Sequence, residues 1–151
     1  MESVSSRIEA AYRKKVSLMQ GLLGCLNLEK ESLVSLDVKS LWSLMEEKDS
    51  LLASIGRTDQ EIRAAEAEGA DGAGLPKDVT PAVKGLSREI RRLKMEIRAR
   101  VKENVSFIQE TLRFFDEIIS IFAAGNRAEP SYDPLPKRAR SSTSLIYQRE
   151  V

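Results

Sequence analysis

Few side chains of this 151-residue chain are equipped for covalent or acid–base chemistry. It contains no His and one Cys, which removes the commonest general base, the commonest zinc ligand and any internal disulfide. Cys25 lies between Gly24 and Leu26 with no nearby imidazole or second thiol, and reads as an inert packing thiol. Glu46 and Glu47 are adjacent, about 100° apart on a helix, so they do not converge on one substrate as a catalytic carboxylate pair must. Residues 69–79 read Gly-Ala-Asp-Gly-Ala-Gly-Leu-Pro-Lys-Asp-Val. The glycines suggest a phosphate loop, but no strand precedes them and no Gly-Lys-Ser/Thr follows, so the stretch reads as a flexible linker. Neither catalysis nor a cofactor nor a metal is expected.

One charge run has functional content. Residues 84–102 hold Lys84, Arg88, Arg91, Arg92, Lys94, Arg98, Arg100 and Lys102 against Glu89 and Glu96, an excess of six positive charges. Such a run can grip nucleic acid through its phosphates. Against that reading, residues 37–68 hold eight acids and four bases, enough for a neighbouring helix to neutralise it, and the chain totals only +1. Nucleic acid is therefore not the expected partner. Lys137, Arg138 and Arg140 form a short basic cluster that reads as solvated.

The elements carrying these residues are helical. With 42% hydrophobic, 31% charged and only 5% aromatic residues, the composition suits charged helices with narrow apolar stripes. Ile8, Tyr12, Met19, Leu22, Leu23, Leu26 and Leu33 share one helical face and predict a first helix over 6–36, opened by a Ser6–Glu9 capping box. Gly21 and Gly24 inside it would admit a close neighbouring helix; loose packing at these positions is the alternative. Asp37 is a good N-cap for a second helix over 38–68; one continuous helix through Asp37 is the alternative. Leu41, Leu44, Lys48, Leu51, Ile55, Thr58, Ile62 and Ala65 occupy its heptad positions, with Met45 and Leu52 widening the stripe and Trp42 reading as core. Lys48 can pack its stem there and send its ammonium to a carboxylate. Gly69 is expected to end this helix.

Thr80-Pro81 pairs an N-cap with proline at the first helical position. The third helix, over 80–124, carries Leu86, Ile90, Leu93, Ile97, Val101, Val105, Ile108, Leu112, Phe115, Ile119 and Phe122, ten steps across 36 residues. That is the period of a straight helix. The fold class is therefore all-α: an antiparallel hairpin or three-helix coiled-coil-like bundle with a long third helix. Residues 1–125 form the helical domain. The Pro- and Ser-containing segment 126–151 forms an extended tail.

At 1.5 Å per residue the third helix would be ~65 Å long and the others ~45 Å, so its far third is expected to outrun its partners. There the apolar arc widens from about 80° to about 180°, because Phe107, Phe114, Ile118 and Ile121 join Ile108, Leu112, Phe115, Ile119 and Phe122. A helix that is most apolar where its own fold covers it least is a candidate partner-binding face. Homodimerisation through this face, as in a self-associating coiled-coil protein, and burial against Leu145, Ile146 and Tyr147 of the tail are the alternatives.

Leu22-Leu23, Glu29, Leu33, Asp37, Leu41, Leu44, the run Glu47-Lys48-Asp49-Ser50-Leu51-Leu52 and the tail element Ser131-Tyr132-Asp133 together resemble the FlgN family of flagellar type III export chaperones. The order of parts and the close Leu145–Val151 are similar as well. Pro134-Leu135-Pro136 departs from the glycine that often follows the family's Tyr-Asp. The resemblance implies a chaperone that binds the C-terminal helices of the hook-filament junction proteins FlgK and FlgL, prevents their premature assembly and delivers them to the export gate. It also implies that Tyr132 docks at that gate. The opening Met-Glu-Ser-Val-Ser-Ser-Arg lacks a basic segment followed by an apolar one, and no stretch reaches the ~18 apolar residues of a membrane span. A cytoplasmic location without membrane insertion is expected.

Overall fold

The computed structural model describes residues 3–71 and 80–126. They form three helices and no strand: α1 (Val4–Ser35), α2 (Val38–Asp71) and α3 (Pro81–Gly125). The all-α class is as the periodicity requires. The chain divides into two compact units, Met1–Leu112 and Arg113–Val151, and α3 is continuous through the division. Among the described residues no helix is long and apolar enough to cross a membrane.

Local capping chemistry sets the helix ends. At the start of α1, Ser3 is the cap, its Oγ accepting the Ser6 N–H at 3.2 Å. The expected Ser6–Glu9 capping box is thus displaced by one turn. Its cause is packing: Val4 adds to the cluster of Ile8, Ala65 and Val83, so the earlier serine caps a longer apolar face. At the other end Leu36 is left-handed (φ 55°, ψ 35°). The Leu36 N–H donates to Leu33 O at 3.3 Å and the Asp37 N–H to Ser32 O at 2.9 Å, the paired closure of a Schellman motif. Asp37 then caps α2: its Oδ1 accepts the Ser40 N–H at 3.1 Å and its Oδ2 the Ser40 hydroxyl at 2.6 Å. Those bonds hold its carboxyl below the ordinary carboxylate range. The chain therefore breaks at Asp37 rather than continuing as one helix. Gly69 does not end α2, which runs on to Asp71; a single glycine costs a helix only about 1 kcal/mol. The rest of the expected linker, 72–79, lies outside the described residues. Thr80 caps α3 as expected, its Oγ1 accepting the Val83 N–H at 3.3 Å.

Within the first unit, α1 and α2 run antiparallel, registered by Arg7–Glu68, Lys14–Glu61, Lys15–Asp59 and Glu29–Lys48. α3 returns alongside α1. Val83 meets Ile8 and Ala65; Leu93 meets Val16 and Met19; Asn104 reaches Leu26. The α2 heptad faces inward, with Leu44, Thr58, Ile62 and Ala65 buried. Met45, Leu52 and Trp42 do not join it; Trp42 is 63% exposed, which corrects its reading as core. Gly21 faces Leu51, yet a Cβ there would meet only ordinary contact at 3.5 Å, and at Gly24 it would meet open space. Neither glycine is required by a close helix approach.

Candidate functional site

The residues proposed as a binding face all lie on α3, a 45-residue helix against 32 and 34 for the others. In the first unit Ile108 and Leu112 are each 39% exposed and Phe107 is half-buried. In the second unit Phe114, Phe115, Ile119, Ile121 and Phe122 are exposed, rising to 71% at Phe122, and Ile118 is half-buried. Phe114 and Phe115 contact each other, ring centroids 6.2 Å apart and tilted by 56°. Adjacent residues on a helix diverge by about 100°, so these two rings spread the apolar surface sideways rather than along the axis. No residue of α3 beyond Asn104 is buried. Tyr132, expected to dock at an export gate, lies outside the described residues, as do Leu145, Ile146 and Tyr147.

A polar layer closes the core just before this face begins. Asn104 is buried at 3% exposure, and its Nδ2 donates to Leu26 O at 3.1 Å and to Glu29 Oε2 at 2.8 Å. The other oxygen of Glu29 accepts from Lys48 Nζ. One residue from each helix is thereby joined. Lys48 does find a carboxylate, as its heptad position suggested. Asn104 was not anticipated, although the spacing Ile97, Val101, Asn104, Ile108 sets it in an apolar row, which is the signal that could have found it. Cys25 packs nearby at 2% exposure. Burial first, and Glu47 second, push its thiol up to about 11, so it is a neutral filler and not a nucleophile. Tyr12 behaves likewise: burial, then Glu66, raises its phenol.

The charges do not pair as the sequence suggested. Three acids of α2 pair with α1: Asp59 meets Lys15 at 2.6 Å, Glu68 meets Arg7 at 2.7 Å and Glu61 meets Lys14 at 3.2 Å. On α3, Arg92 is held between Glu89 and Glu96, and Arg100 meets Glu103 at 3.0 Å. The expected neutralisation of α3 by α2 is absent among the described residues, because hairpin register commits the α2 acids to the lysines and arginine of α1.

The described residues thus combine a helical core pinned by polar contacts with a long helix that exposes large apolar side chains. The family model described as FlgN protein matches residues 1–135, and the chain belongs to the FlgN family of flagellar export chaperones. No curated protein and no solved structure matches the chain.

Proposed function

We propose that this chaperone works in the cytoplasm, holding the C-terminal helices of the junction proteins FlgK and FlgL on α3 and releasing them at the export gate. The observation that carries the proposal is the run of seven large apolar side chains from Ile108 to Phe122 left 39–71% exposed in a member of an export-chaperone family. Terminal helices of subunits that assemble as coiled coils carry an apolar stripe of their own. A helix with a wide apolar face covers that stripe by interdigitating at i, i+3, i+4 and i+7, and covering it blocks premature assembly. The contact residues are Phe107, Ile108, Leu112, Phe114, Phe115, Ile118, Ile119, Ile121 and Phe122. Tyr132 serves the later step, docking at the gate.

The test mixes the full chain with C-terminal FlgK and FlgL peptides and follows mass by light scattering. A 1:1 complex is expected. Phe115→Asp and Ile119→Asp each weaken peptide binding by at least about tenfold, equivalent to 1.4 kcal/mol, and leave the helical circular dichroism unchanged. A variant that melts the whole protein would show that the segment is core. A chain that dimerises through this face and ignores the peptides would replace client capture with self-association.

A further inference from the structure

We propose that the solvent-facing row of α3 formed by Lys84, Arg88, Arg91, Arg98 and Lys102 is a strip that binds the sugar-phosphate backbone of a nucleic acid. The row has a strict geometry. With Met95 included, its members are spaced by four, three, four, three and four residues, which at 100° per residue confines them to an arc of about 80° opposite the buried Leu93. All six are exposed, Met95 to 72%. At 1.5 Å per residue the row is ~27 Å long. No acidic residue interrupts it. Among the described residues none of its five cations reaches a carboxylate, whereas Arg92 and Arg100, which point off the row, are both paired. The reason a near-neutral chain can carry so uncompensated a strip is already visible in the hairpin: Asp59, Glu61 and Glu68 are occupied by α1.

The chemistry of the row selects among anionic partners. Exposed ion pairs with the carboxylates of another protein contribute little, since each exchanges one hydrated charge for another. A phosphate backbone instead releases condensed counterions, once for every phosphate neutralised, so five aligned cations act together. An anionic membrane surface also attracts such cations, but firm attachment adds apolar side chains that insert, and the row offers Met95 alone. No aromatic residue stands in the row on which bases would stack, so the contact is with the backbone and is indifferent to sequence.

Fluorescence anisotropy of the full chain with a labelled single-stranded RNA and a labelled DNA duplex of matching sequence tests this, between about 50 and 200 mM salt. Neutralising about five phosphates predicts a slope of log K against log salt of about −3.5 for the single strand and −4.5 for the duplex. The triple variant Arg88→Gln, Arg91→Gln, Arg98→Gln shallows that slope by about 2 to 3 and weakens binding at least about tenfold at the lowest salt. The matching triple Arg→Lys variant retains the slope, which separates loss of charge from loss of fold. Arg92→Gln with Arg100→Gln, both already paired, stays within about twofold. A tighter RNA or a tighter duplex assigns which nucleic acid is preferred, and either supports the strip. Absence of binding at the lowest salt, a Gln triple variant that binds like the parent, or equal displacement of the label by polyglutamate overturns the proposal; the last outcome marks a surface for acidic protein.

Discussion

Asn104 shows how one polar side chain fixes the register of three helices. Its amide nitrogen serves a backbone carbonyl of α1 and the Glu29 carboxylate, which in turn holds Lys48 of α2. Its Oδ1 is buried without a partner among the described residues. A buried polar group in an apolar row lowers stability but specifies alignment, because any slipped register strands it. Asn104→Ala removes two donors from buried acceptors and is expected to destabilise the protein by about 1–3 kcal/mol, read as a lower urea midpoint at unchanged slope. Lys48 was legible as a lysine in search of a carboxylate, because its heptad position left its head no other role. Glu29 as the partner was not, since that pairing joins residues on different helices. Trp42 was misread from its place beside the Leu41 and Leu44 stripe: it lies about 100° from Leu41 on the helix, off the row that Leu44 and Lys48 define, and is 63% exposed.

At the scale of elements, the turn between α1 and α2 carries a cost that a substitution can remove. Leu36 is the only described non-glycine residue at positive φ, a conformation that costs an L-residue roughly 1–2 kcal/mol, and its side chain is 64% exposed. Leu36→Gly is expected to raise stability by about 0.5–1 kcal/mol, the relief being offset in part by the greater freedom of an unfolded glycine. Thermal melts followed by circular dichroism measure it, and a lowered midpoint would show that the leucine packs. The caps of α2 and α3 were readable because Asp37 and Thr80 act on N–H groups three residues away. The cap of α1 was not: Ser3, Ser5 and Ser6 offer the same chemistry, and Val4 packing against a cluster that includes α2 and α3 decides among them.

For the whole molecule, Cys25 reports on opening. It is 2% exposed with its thiol raised to about 11, so a thiol reagent at neutral pH is expected to label it only as fast as the core unfolds. Labelling at the rate of a free cysteine would place it at the surface. The sign of its pH dependence follows from the shift. The folded pKa of about 11 lies above the 9.0 of an ordinary cysteine thiol, so the folded state binds the proton more tightly. The stability tied to this proton is complete below pH 9 and is lost as pH rises toward 11. Denaturant midpoints should fall across that window, and Cys25→Ser should flatten the fall. Helix number, the break at Asp37 and the start of α3 at Thr80 were legible in the sequence, since each rests on local periodicity and caps, and the family was legible in its combination of motifs; the end of α2 was not, because Gly69 alone does not stop the helix. The distribution of charge between helices was not, because summing acids over 37–68 says nothing of whether Asp59, Glu61 and Glu68 turn to α1 or α3.

Trp42 has a practical consequence. It is the single indole of the chain and already stands 63% in water on α2, so its emission is near its red limit in the native state and changes little on denaturation. Any spectral shift to the blue therefore signals something laid over this side of the hairpin rather than folding, giving the protein a built-in optical sensor for occupants that approach from α2 and blindness to those that choose α3.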